Sequence, residues 1–188
     1  MRTFIGIRLA DGLRSAVVEL CDELRRASVR VKWVEPENVH FTLRFLGETD
    51  DVAVPAIAES LKNVVSSVPM FSIELCGVGA FPNVKKPRVL WVGIEPADGP
   101  LLELKRAVDG ALADHGFSPE EGRPFHPHVT LGRVKDSRVA NVLTEPLCRA
   151  ADTALGVMEV RDVAFIRSTL SPRGPQYTDL YRLQLGTT

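Results

Sequence analysis

The chain contains His40-Phe41-Thr42-Leu43 and, much later, His128-Val129-Thr130-Leu131, the same His-x-Thr-Leu tetrad twice among only four histidines. Side chains alternate across a strand, so on extended backbone His40 and Thr42 share one face while Phe41 and Leu43 take the other. His128 and Thr130 stand in the same relation to Val129 and Leu131. The pattern predicts two polar faces turned to one cleft and two apolar faces turned to a core. Two imidazoles near neutral pH can divide a proton transfer, one accepting a proton from water and the other donating to a leaving oxygen. Threonine hydroxyls add hydrogen bonds. Arg133, close behind the second tetrad, can supply charge-assisted bonds to phosphate oxygens as charge redistributes. Phosphoester cleavage without a metal is within the reach of this set.

The remaining candidates are weaker. His126-Pro127-His128 is a His-x-His pair able to share a metal with a third ligand. The nearest carboxylates, Glu120, Glu121 and Asp136, fall in no recognised ligand spacing, so His126 is read as support or substrate rim. His115, in the last turn of a predicted helix, is read as structural, bonded to terminal carbonyls. Arg44, Lys85, Lys86, Arg88, Arg123 and Lys135 flank the tetrads or the segment between them and read as solvated surface charges. Gly77-Val78-Gly79 begins a dinucleotide fingerprint, but Pro82 stands where the last glycine belongs. Cys21, Cys76 and Cys148 are odd in number and far apart, which favours neither a disulfide framework nor a zinc site, and they read as structural thiols.

At 188 residues, with 45% hydrophobic and 25% charged residues, the chain is expected to form one bilobal domain over residues 1–188. A formal charge of −1 argues against a broad basic face for duplex nucleic acid but not against a small basic pocket. The N-terminal segment lacks the apolar core of a secretory signal, and no stretch reaches membrane-spanning length. Together with the cysteine usage, this predicts a cytoplasmic protein with no membrane partner; a monomer is favoured, though the sequence does not fix oligomeric state.

The elements that must position the tetrads follow from periodicity. After an opening strand, Leu13, Ala16, Val17, Leu20, Leu24 and Ala27 trace a helix with Asp11 as N-cap. Strands are predicted at 31–34 and 39–46, separated by the breaker Glu35-Pro36-Glu37-Asn38 and ended by Gly47. A second helix starts near Pro55, since proline is tolerated in a first turn, and runs towards Val68. Strands at 71–78 and 88–94 precede a third helix that carries Leu101 to Leu112 and stops at Gly116. Val139, Val142 and Leu143 suggest a fourth helix, and strands close the chain at 157–166 and 179–185. The class is α+β, with strand, helix, tetrad strand and helix in approximate form in both halves.

The chain resembles the 2H phosphoesterases, and within them the bacterial and archaeal RNA 2′,3′-cyclic phosphodiesterases historically called 2′-5′ RNA ligases. Besides the tetrads, the resemblance rests on 2–9, Trp33 to Gly47, Phe81-Pro82, Arg88-Val89-Leu90-Trp91, Phe125 to Arg133 and Gly174-Pro175-x-Tyr177. It implies two antiparallel-sheet lobes with outer helices and a central cleft, catalytic histidines at His40 and His128, and substrate contacts from Thr42, Thr130 and Arg133. It implies no metal or organic cofactor. The implied substrate is RNA or a nucleotide ending in a 2′,3′-cyclic phosphate, opened to the 2′-phosphate, with reversal joining ends through a 2′-5′ linkage. His40 is assigned as the acid and His128 as the base. An RNA-end or nucleotide-binding module with weak catalysis is the alternative reading.

Overall fold

The computed structural model describes residues 1–27, 30–118, 124–136, 142–172 and 174–187. In chain order its elements are β1 (Arg2–Arg8), α1 (Asp11–Arg25), β2 (Val31–Trp33), β3 (His40–Glu48), α2 (Val54–Val65), β4 (Phe71–Phe81), β5 (Val89–Glu95) and α3 (Gly99–Ala113). β6 (His128–Val134), α4 (Thr144–Arg149), β7 (Ala154–Val160), β8 (Asp162–Ser171) and β9 (Gly174–Gln184) follow. The strands join in the order β7-β4-β5-β6-β3-β1-β8-β9, with β2 added beside β6. The pairings between strands are antiparallel, and each of the two middle strands, β3 and β6, begins on a tetrad histidine.

The four strands on either side of the middle make two lobes. The expected repeat is realised as β1-α1-β3-α2 in one half and β5-α3-β6-α4 in the other. The apolar faces read from the tetrads are buried: Phe41, Val129 and Leu131 are fully enclosed and Leu43 nearly so. They join Ile5, Ile7, Leu90 and Val92 in a core that runs through both lobes without a break. Among the described residues no helix is long and apolar enough to cross a membrane.

Several boundaries differ from expectation. Helix α1 is preceded by Ala10 and has no side-chain cap; Asp11 lies one position inside, where its carboxylate pairs with Arg14 at 2.6 Å. Strand β3 continues through Gly47, whose φ of +74° lets the backbone turn without ending the pairing with β1. Strand β4 runs on to Phe81, because the glycine-bearing segment stays paired with β5. Val142 and Leu143 precede α4 instead of lying in it, and Val139 is outside the described residues. The predicted strand 157–166 is two strands. β7 pairs with β4 in one lobe and β8 with β1 in the other, so the chain changes lobes at Arg161 with little break in its apolar pattern. Strand β9 starts at Gly174, well before residue 179, held by its long ladder with β8.

Neighbouring positions on β3 give a direct check on this placement. Phe41 has 0% exposure and Phe45 has 61%. Phe41→Ala should therefore cost about 3–5 kcal/mol of unfolding free energy, while Phe45→Ala should cost less than about 1 kcal/mol. Denaturant melts of the two variants measure the contrast, and equal losses would contradict the assignment of faces.

Candidate active site

Strands β3 and β6 meet through the pair Phe41–Val129. Extending that antiparallel register sets His40 across from Thr130 and Thr42 across from His128, which draws the four polar tetrad side chains together. All four line one cavity of about 720 Å³, and Arg133 lines it with them. The five site residues expected from the sequence are thus brought to one place.

Arg133 gets there through an irregularity. Along β6, Thr130 faces Trp91 and Gly132 faces Leu90, so Leu131 is an extra residue in the ladder. The bulge shifts the alternation by one and returns Arg133 to the cleft face, opposite Val89 and Lys32. Gly132 is required at this crossing, since a Cβ there would come within 2.7 Å of the Val31 side chain. An equivalent bulge follows the first tetrad: Thr42 faces Gly6 and Arg44 faces Ile5, leaving Leu43 extra.

That first bulge corrects the reading of Arg44 as a solvated charge. Arg44 is 7% exposed and lines the large cavity, with one guanidinium nitrogen donating to the Ser118 carbonyl and another 3.8 Å from Asp109. Lys85, Lys86 and Arg88 line neither the large cavity nor the smaller one beside it, whereas Lys135 lines the smaller one. Arg123, Glu120 and Glu121 lie outside the described residues. His115 lies just beyond α3 and bonds Ser60 Oγ at 2.9 Å through Nε2; its ring serves a contact with α2.

Each tetrad histidine is oriented the same way. The Nδ1 of His40 lies 2.6 Å from the Asn38 carbonyl, and the Nδ1 of His128 lies 2.6 Å from the His126 carbonyl. A carbonyl only accepts, so each Nδ1–H donates and each neutral ring keeps a bare Nε2. For His40 that nitrogen lies 3.0 Å from Thr42 Oγ1, which donates to the neutral ring. Asn38 was not singled out by sequence reasoning. It is 7% exposed, its amide donates to the Pro175 carbonyl at 2.8 Å, and it closes the 3-10 turn at 36–38 that begins β3. An asparagine next to a proline breaker reads as an ordinary turn, so its link to β9 had no signal in the chain.

Aromatic rings enclose both imidazoles. Phe4 and Tyr177 flank His40 at 4.8 and 5.1 Å between centroids; Phe81 and Trp91 flank His128 at 5.1 and 6.3 Å. Burial pushes the His40 imidazole down to about 4, opposed by the bond to Asn38 and aided by the positive charges of Arg8 and His128. His128 is also lowered, mainly by burial, with His126 and Arg133 adding to the shift. In the free protein His40 therefore titrates below the near-neutral range in which two imidazoles were expected to divide a proton transfer, because desolvation disfavours the imidazolium. His126 packs on Phe81 and Trp91 at the rim, and no cluster of three metal-ligating side chains occurs among the described residues. None of the three free cysteines lines the cavity, and burial raises the Cys21 thiol to about 11.

The family model of the 2′-5′ RNA ligase superfamily matches residues 13–171. This chain belongs to that superfamily. A Methanothermobacter thermautotrophicus protein named RNA 2′,3′-cyclic phosphodiesterase is 37% identical over 180 residues, covering 96% of each chain. An Aeropyrum pernix protein of the same name is 38% identical, covering 92% of this chain and 96% of its own. A crystal structure of a Thermus thermophilus protein superposes with a TM-score of 0.82 at 30% identity, over 100% of this chain and 99% of that one. The superfamily's α+β architecture, with antiparallel sheet and outer helices, is therefore the fold expected from the sequence.

The histidine environments are testable without substrate. In NMR titrations of the free protein, His40 should remain the neutral Nδ1–H tautomer from pH 7 down to 5 and titrate near 4. A His40 midpoint at the ordinary 6.5 would contradict the burial argument.

Proposed function

We propose that the chain hydrolyses RNA or nucleotide 2′,3′-cyclic phosphate ends to 2′-phosphates by acid–base catalysis from His40 and His128, without a metal. The observation that carries this reading is the convergence of both tetrads and Arg133 on one cavity, with the two neutral imidazoles in the same tautomer. The names of the M. thermautotrophicus and A. pernix relatives agree with it.

In the proposed step a water oxygen attacks phosphorus while His128 Nε2 takes a water proton. The bond from phosphorus to the 3′ oxygen breaks, and that oxygen takes a proton from His40 Nε2. One water is consumed, and the product carries a 2′-phosphate and a 3′-hydroxyl. Arg133 and the Thr42 and Thr130 hydroxyls stabilise charge on the non-bridging oxygens. With the 5′-hydroxyl of a second RNA in place of water, the same attack on the cyclic phosphate and departure of the 3′ oxygen join the two chains through a 2′-5′ linkage. Burial keeps His40 neutral when the site is empty, whereas the phosphate anion favours the imidazolium. A depressed pKa also makes that imidazolium a stronger donor to the departing oxygen. The charge needed at phosphorus comes from Arg133 and the imidazolium, the roles a metal would otherwise fill. In this reading the chain is a single bilobal domain that acts in the cytoplasm.

An oligoribonucleotide ending in 2′,3′-cyclic phosphate should be opened in excess chelator, giving the 2′-phosphate alone. Loss of turnover restored by zinc or manganese would overturn the metal-free step. His40→Ala and His128→Ala should each abolish most activity, and Thr42→Ala or Thr130→Ala should cost on the order of ten- to a hundredfold. Arg133→Ala should cost more than Arg133→Lys, and His126→Ala should keep most activity.

The acid needs a proton and the base must lack one, so kcat/KM should be bell-shaped between the two free-protein pKa values. Both are lowered, which places the maximum on the acid side of neutrality; the bound anion raises both, moving the kcat profile to higher pH. Rate–pH profiles of both parameters check the direction. A substrate whose leaving oxygen needs no proton should rescue His40→Ala and not His128→Ala; the opposite result would exchange the two roles.

A further inference from the structure

The two bulges place different residues at matching positions. Five residues after its histidine, β6 presents Arg133 to the cleft, and β3 presents Phe45. Phe45 faces Phe4 across the β1–β3 ladder, with 5.8 Å between ring centroids, and its ring is mostly bare to solvent. It lines both the large cavity and an adjoining one of about 330 Å³ that shares His40, Thr42, Thr130 and Arg133. The smaller cavity is bounded by Trp33 and Tyr177 and carries three cations, Lys32, Arg133 and Lys135, against the carboxylate of Glu35. Lys32 lies opposite Arg133 in the β2–β6 ladder, so their side chains project to the same side.

An exposed aromatic ring, a small apolar cavity and cations beyond the reacting phosphorus are the elements that hold single-stranded nucleic acid, a face for a base and charge for the backbone. We propose that the 330 Å³ cavity is the subsite for the nucleotide on the 5′ side of the reacting end. Its base stacks on Phe45, and Lys32 and Lys135 take the phosphodiester that joins it to the terminal nucleotide. This inference rests on the cyclic phosphodiesterase reading and deepens it: the preferred substrate is an RNA chain end, and a free cyclic mononucleotide is the poorer one.

The test compares kcat/KM on adenosine 2′,3′-cyclic phosphate with kcat/KM on a triribonucleotide ending in the same group. The wild-type protein should favour the trinucleotide by about tenfold or more, the scale of one stacked base. Phe45→Ala, and separately Lys32→Gln combined with Lys135→Gln, should lower trinucleotide turnover about tenfold more than mononucleotide turnover. Added salt should erode the preference in the wild type and much less in the double lysine variant. Equal kcat/KM for the two substrates in the wild type, or equal losses on both in Phe45→Ala, would overturn the subsite. Equilibrium titration with the 2′-phosphate-ended trinucleotide and with adenosine 2′-phosphate reads the subsite independently of turnover. Tighter trinucleotide binding that Phe45→Ala abolishes supports the subsite even if neither substrate is cleaved, whereas absent cleavage would count against the proposed activity alone.

Discussion

Two strands from different lobes lie side by side at the middle of the sheet, joined through the pair Phe41–Val129, and the site depends on that contact. Both residues are fully buried in the core common to the lobes, so the apolar halves of the tetrads hold the strands together. Burial of such side chains is worth about 1.5–3 kcal/mol each. The polar halves are carried to the opposite face by the pleat and have no freedom to go elsewhere. Hydrophobic packing on one side of the sheet thereby sets the chemical geometry on the other.

Past the tetrads the strands stop being regular. The extra residues Leu43 and Leu131 stay in the core while the chain beyond each is turned over by one position. Strand β2 takes the place of β3 beside β6, and the cleft opens. The same irregularity sends Arg44 towards Asp109 of α3, so one bulge serves both the site and the attachment of a helix.

Burial and orientation act together on the histidines. Each ring is clamped by an Nδ1–H bond to the carbonyl two residues before it, a contact that β3 and β6 repeat. The clamp presents Nε2 to the cavity, and the aromatic neighbours exclude water from the imidazole. A partly desolvated site favours neutral rings until an anion enters, which in the proposed step links occupation of the site to protonation.

The amino-acid sequence by itself determined which residues face the cleft within each tetrad, because a period of two and a contrast between His/Thr and apolar neighbours leave only one way to pack the strand. It also determined the α+β class and the cores of α1, α2 and α3, whose apolar series repeat at helical spacing. It could not show that the run from residue 157 to 166 belongs to two lobes, since strands in either lobe carry similar apolar patterns. The places of Arg44, Phe45 and Arg133 were decided by bulges, which depend on the pairing partner and leave no mark in local periodicity. Asn38 and Pro175 meet from distant parts of the chain. The depressed pKa of His40 likewise exists only where the lobes enclose it, because desolvation is a property of the assembled fold and not of any segment.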